Sequence, residues 1–203
     1  MTREDEQNII RQVIEGNSDA FEALVLDNQT QVYNLCLKMT GNEEDAFDLS
    51  QEAFLKAYTN LSKFRGESKF SVWLYRLTGN ICIDFIRKKR RLRESSLSSD
   101  GDDGDDAEFQ IPDDRFSPET ELEKKELNRA VNEGLLQLPA EYREILILRE
   151  LNGLSYDDIS KALALDIGTV KSRIFRARKK LCMILLRHGN IADLVSSYKK
   201  KGV

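Results

Sequence analysis

LSYDDISKALALDIGTVKSRIFRARKKL, residues 154–181, decides how the second half of this chain folds. Ser155 followed three positions later by Asp158 has the spacing of a capping box, and predicts a first helix with Ile159, Ala162 and Leu163 on its inner face. Asp166 is placed to cap a second helix. At about 100° per residue, Val170, Ile174, Ala177, Leu181 and Ile184 of that second helix fall in one apolar stripe. The opposite side carries Lys171, Ser172, Phe175, Arg176 and Lys179. A Phe turned away from the core and flanked by Ser and Arg has a use in a DNA major groove, where an aromatic edge packs on a thymine methyl and an Arg forks onto guanine O6 and N7. Two short helices, a tight turn and a cationic second helix together predict a DNA-reading helix-turn-helix. Ala164 at the turn suits that reading as long as its φ is negative.

The preceding run, LPAEYREILILRELNG (138–153), supplies a scaffold helix, with Pro139 in its first turn and Gly153 just past its end. Ile145, Leu146, Leu148 and Leu151 are expected to pack beneath the reading helix.

The N-terminal half predicts four helices, roughly 3–15, 18–39, 43–62 and 70–92, separated by Gly16-Asn17, Gly41-Asn42 and the loop Lys63 to Lys69. On the third, Glu44, Asp45, Asp48, Gln51, Glu52 and Thr59 share one hydrophilic stripe, backed by Ala46, Ala53, Phe54, Ala57 and Leu61. Periodicity leaves two readings of that stripe open, a solvated surface or a docking face for a basic partner. On the fourth, Trp73 begins a stripe of Arg76, Asn80, Asp84, Arg87 and Arg91, and the basic-aromatic loop KFRGESKF (63–70) precedes it. An exposed Trp at the head of such a stripe suits stacking on unpaired bases beside a phosphate track. The other reading is that Trp73 packs against a neighbouring helix.

Charge divides the 203 residues unevenly, with 14 basic against 14 acidic side chains in 1–93, 3 against 13 in 94–126, and 14 against 8 in 127–203. The overall charge of −4 therefore comes from the middle segment and does not argue against nucleic acid. That segment is polar, acidic and broken by Gly and Pro, so it cannot offset its ordering entropy with a core, and it reads as a linker. About 24 such residues can stretch to roughly 80 Å. Whether they only tether or also lie in a basic channel of a partner stays open. The expected organisation is all-α: a helical domain over 1–93, an acidic linker over 94–126 and a helix-turn-helix domain over 127–203.

Cys36, Cys82 and Cys182 form no CxxC pair and sit in apolar helical pattern, as reduced core thiols do. His188 is the only histidine, which leaves little material for a zinc site or a triad. We therefore expect no catalytic residues, no metal or other cofactor and no small-molecule substrate. No apolar run approaches the roughly 18 residues of a membrane span, so a cytoplasmic location is expected.

DAFDLSQEAFLKAY, KFRGESKFSVWLYRL and NICIDFIRKKRR in the first half, with GTVKSR and FRARKKL in the second, resemble the two-domain sigma factors of the extracytoplasmic-function group, from about Ala20 to Arg91 and from about Leu127 to Leu185. The resemblance implies a transcription initiation factor that binds bacterial core RNA polymerase and directs it to promoter DNA. It implies that Asp48, Gln51 and Glu52 dock on the polymerase. It further implies that Lys63, Phe64, Lys69, Phe70, Trp73, Asn80, Asp84, Arg87 and Lys88 engage the minus-10 element as it opens, and that Thr169, Lys171, Ser172, Phe175, Arg176 and Lys179 read the minus-35 element. Arg173, Arg178 and Lys180 are left for phosphates or the domain surface. An anti-sigma protein is an implied partner. The competing expectation is a helix-turn-helix regulator that binds duplex DNA without polymerase.

Overall fold

In the computed structural model, residues 2–96 and 118–187 are described, and they form eight α-helices without a strand. Thr2 and Asp5 close a reciprocal capping box that starts α1 (Arg3–Ile14), and a short 3₁₀ turn leads into α2 (Phe21–Thr40). Asn42 accepts the Asp45 N–H (2.8 Å) to cap α3 (Glu43–Thr59), and the loop Lys63 to Lys69 leads to α4 (Phe70–Ser96). Leu24, Val32, Leu35 and Met39 of α2 meet Ala46, Ala53 and Ala57 of α3 and Phe70, Leu74 and Ile81 of α4 in a buried core. The three alanines allow the close approach of α2 and α3, and each large apolar side chain removed from water contributes about 1.5–3 kcal/mol. The thiols of Cys36 and Cys82 touch across this core, 3.7 Å apart. Their hydrogen bond and their burial push the Cys82 thiol far up, so it stays protonated and unreactive.

The second unit comprises α5 (Pro118–Leu136), α6 (Ala140–Leu146), α7 (Tyr156–Leu163) and α8 (Ile167–Arg187). Ile145, Leu146, Leu148, Ile159, Ala162, Val170, Ile174 and Ala177 form its core. α5 begins at Pro118, inside the span expected to be linker. Most of that acidic linker, and His188, lie outside the described residues.

Three expectations are corrected. Leu151 is 58% exposed and does not pack beneath α8. After α6 the chain widens into a π-turn (Ile147–Leu151), with the Asn152 N–H reaching the Ile147 carbonyl (3.0 Å); this brings Ile147 into the core in its place. Ala164 takes φ 51°, the one positive φ outside glycine among the described residues, because the chain must reverse between α7 and α8 within three residues. Cys182 is exposed, since α5 covers α8 on the side of Leu181 and Leu185 and Cys182 stands on the other side.

The two units rest on one another. Arg143 of α6 is buried and donates to the Leu135 carbonyl (2.8 Å), to the Leu138 carbonyl (3.1 Å) and, across the boundary, to the Met39 carbonyl at the end of α2. Lys38 donates to Asn132 (2.7 Å), and Arg87 of α4 pairs with Glu141 of α6 (3.1 Å). Glu144, 5% exposed, lies over Gly79 of α4, where an added Cβ would fall 1.8 Å from its Oε1. Burial, with repulsion from Glu141, raises the Glu144 carboxyl to about 7 against a partial opposing pull from Arg173.

Candidate nucleic-acid and partner interfaces

The α7–α8 pair is built by its caps. The Asp158 N–H donates to the Ser155 hydroxyl (3.1 Å), and the Thr169 N–H donates to Asp166 Oδ1 (2.8 Å). The Thr169 hydroxyl also donates to Asp166, and together these hydrogen bonds hold the Asp166 carboxyl below its usual range. With α8 so aimed, Val170, Ile174 and Ala177 face inward while Leu181 and Ile184 are half-buried. Lys171, Ser172, Phe175, Arg176 and Lys179 face outward, and Phe175 is 69% exposed, the most of any large apolar side chain described. Thr169 is half-buried and committed to the cap, and the Ser172 hydroxyl donates back to the Thr169 carbonyl (3.0 Å). Arg178 is tied to Glu150 (Nε to Oε1, 3.0 Å), Lys180 lies 5.0 Å from the Tyr142 ring centre, and the charge of Arg173 favours the ionised forms of Glu141 and Glu144. The outward face can place one aromatic and several cations along a groove, the chemistry of base-edge and phosphate contact.

Around the loop before α4, the structure differs from the exposed platform expected of Trp73. Trp73 is 8% exposed and Phe70 is fully buried. Phe64, half-buried, folds back so that its ring centre lies 5.4 Å from Trp73 and 6.0 Å from Phe70, and Phe70 lies 5.7 Å from Trp73. Edge and tilted packing of this kind holds the loop to the helix start, so Phe70 supports the loop's shape and offers no surface of its own. A helical wheel puts Trp73 on the side of Arg76 and Asn80 but does not show that a loop covers it. Lys63, Lys69, Arg76, Asn80, Asp84, Arg87 and Lys88 are exposed. Lys63 donates to Asn60 (2.7 Å), and Arg87 is taken up by Glu141. Lys63, Phe64, Arg65, Trp73 and Arg76, joined by Lys161 from α7, line a cavity of about 430 Å³. That volume is within the range of small-ligand sites, and its rim is cationic.

Asp48, Gln51 and Glu52 of α3 are exposed, with Glu52 bridged to Lys56 (2.6 Å). Asp45 is withdrawn from the stripe by Lys89 of α4 (2.8 Å). Two exposed apolar residues missed in the sequence, Phe47 and Leu55, flank the acids. Leu55 stands seven positions after Asp48 and so falls on the same side of the helix, a signal that was present in the spacing. An acidic surface with apolar side chains among the charges is a docking composition more than a solvating one. Among the described residues, no group of His, Cys, Asp and Glu could hold a metal ion, and no helix is long and apolar enough to cross a membrane.

Residues 24–92 match the family Sigma-70 region 2, and residues 128–181 match Sigma-70, region 4. The ECF RNA polymerase sigma factor SigW of Bacillus subtilis is 38% identical over 172 residues, covering 85% of this chain and 92% of that protein. The RNA polymerase sigma-H factor of Pseudomonas aeruginosa is 38% identical over 186 residues, covering 89% and 94%. Among solved structures, CnrH in complex with the cytosolic domain of CnrY superposes with a TM-score of 0.64 at 25% identity, covering 89% of this chain and 97% of that one. The sigma factor RpoE of Bartonella quintana, solved with the anti-sigma factor NepR, superposes with a TM-score of 0.63 at 24% identity, covering 81% and 96%.

Proposed function

Because this chain belongs to the extracytoplasmic-function sigma factors of RNA polymerase, we propose that it docks on core polymerase through α3, reads the minus-35 element with α8 and helps open the minus-10 element at the loop before α4. It is a promoter-specificity factor that binds core RNA polymerase and promoter DNA. The polymerase performs the bond-making chemistry. The observation that carries the residue-level reading is the cation-rimmed cavity beside Trp73, because a base extruded from an opening duplex needs an aromatic wall and nearby phosphate partners. Lys63, Arg65, Arg76 and Lys69 meet the strand, Phe64 and Trp73 form the wall, and Phe70 holds both in place. Asn80, Asp84, Arg87 and Lys88 continue the track along α4. On α8, Lys171, Phe175 and Arg176 reach base edges, Lys179 meets phosphate, and Thr169 and Ser172 shape the helix start. Asp48, Gln51 and Glu52, flanked by Phe47 and Leu55, form the polymerase-binding face. The location we infer is the cytoplasm, where polymerase is found.

The two elements lie ~25 base pairs apart, about 85 Å at ~3.4 Å per step. A chain whose α7 lines a cavity in its own N-terminal unit cannot reach both, so polymerase binding must separate the units. The contacts of Arg87 with Glu141 and of Lys161 with the cavity are then lost, and the minus-10 surface opens, while the outward face of α8 is exposed already. An anti-sigma protein would act by keeping one or both surfaces covered.

The test is docking. Reversing Asp48 and Glu52 to Lys should abolish co-purification with core polymerase and run-off transcription while moving stability by no more than about 0.5 kcal/mol, since both side chains are exposed. Retention of polymerase by the double variant would overturn the assignment of α3.

A further inference from the structure

α1 precedes the region 24–92 that matches the family, yet it holds the loop described above at two points. Glu6, 9% exposed, accepts the N–H of Phe70 at 2.8 Å. Phe70 is the first residue of α4, where backbone N–H groups lack helical partners and are usually met by a side chain just upstream. Here the position just upstream is Lys69, whose ammonium offers no acceptor, and the nearest hydroxyl, Ser68, is turned to the Lys69 carbonyl (3.2 Å). The cap therefore comes from 64 residues away. One helical turn before Glu6, Arg3 donates to the Gly66 carbonyl at 2.8 Å. Gly66 has φ 69°, the left-handed conformation at the loop's reversal, where a residue with a Cβ is strained.

Arg3 and Glu6 stand three residues apart and share one side of α1. They grip the loop at its middle and at its end, on either side of Glu67 to Lys69. α1 is itself fixed by the Thr2–Asp5 capping box and by buried Ile10. Immediately before the first grip the chain places Lys63, Phe64 and Arg65 around the cavity, and immediately after the second it places Trp73 there.

We infer that Arg3 and Glu6 are positioning residues for base capture: α1 sets the register of the loop against Trp73, so base preference in the minus-10 element depends on residues outside the matched region. This rests on the assignment of the loop and cavity to the minus-10 strand. A loop released from one grip still carries the same side chains, but a displacement of about 1 Å at a reading site can cost up to about a hundredfold in a fitted contact.

The experiment uses the full chain bound to core polymerase, on promoters pre-melted across the minus-10 element and carrying each of the four bases at each position. Arg3 is exposed, so Arg3→Ala should leave folding unchanged. It should narrow the preference between best and worst base at one or two adjacent positions by about fivefold or more. Glu6→Ala should do the same, and Glu6→Gln, which keeps an acceptor oxygen for Phe70, should restore most of the preference. Dependence on the minus-35 sequence and affinity for core polymerase should not move. Lys63→Ala and Arg65→Ala, which alter the cavity itself, separate the two levels. If these change base preference and the α1 variants do not, or if the α1 variants reduce activity equally for all bases in step with melting temperature, the positioning role is overturned. If neither set changes base preference, the assignment of the loop fails and the role of α1 falls with it.

Discussion

Ala164 shows what a single backbone angle can cost. Its φ of 51° and ψ of 46° place it in the left-handed region, where a β-carbon crowds the following carbonyl by roughly 1–2 kcal/mol. Glycine would avoid that clash at some cost in unfolded-state entropy, so Ala164→Gly should stabilise the C-terminal unit by about 1 kcal/mol. Denaturant unfolding measures it, and a midpoint unchanged or lowered would show that the turn carries no such strain. The sequence named the turn and the residue but not the sign of φ, which depends on how tightly α7 and α8 must close. Arg143 and Glu144 were missed for a related reason. In EYREILIL the charges read as the solvent side of a helix, and nothing local shows that a second unit will cover them.

Helices with strong periodicity were read well because one residue spacing fixes both their type and their buried side. α8 is the clearest case, with Val170, Ile174 and Ala177 inside and Phe175 and Arg176 outside. α4 was legible only from Arg76 onward; its first turn is covered by Phe64 from the loop, a non-local contact that a helical wheel does not contain. The scaffold helix failed at Leu151 because a π-turn breaks the 3.6-residue repeat on which the reading depended. The geometry of α8 also separates its cations. Arg176 is exposed and faces outward, whereas Arg178 is held by Glu150 at 3.0 Å. Arg176→Ala should therefore cost about 1–3 kcal/mol at one minus-35 base pair and relax preference there. Arg178→Ala should lower affinity evenly or not at all. Binding of holoenzyme to a minus-35 substitution series distinguishes them, and equal effects on base preference would reverse the assignment.

At the scale of the whole chain, the contact between the two units contains a proton-sensitive group. Glu144 is faced by Gly79 and Cys82 of α4, by Arg173 of α8 and by Glu141 of its own helix. In the closed arrangement its carboxyl is raised to about 7; once the units part, water returns it toward 4.5. Protons therefore bind the closed form more tightly. Closure is favoured as pH falls through about 7, is fully relieved of the charge penalty only below 4.5, and above 7 carries a cost of about 3 kcal/mol. Small-angle scattering of the free chain should show the radius of gyration shrinking between pH 8 and pH 5, and Glu144→Gln should hold the compact form across that range. An unchanged radius in the native chain, or a pH response that survives in the variant, would remove Glu144 from this role. The same cavity offers a way to watch these events without a label. Trp73 is the only tryptophan in the chain, and it borders a space walled on one side by Lys161 of the other unit. Its emission colour and quenching belong to a single known place, so departure of Lys161, entry of solvent and stacking of a nucleobase would register as successive optical changes, and the order of opening and capture could be followed in stopped flow with the unmodified protein.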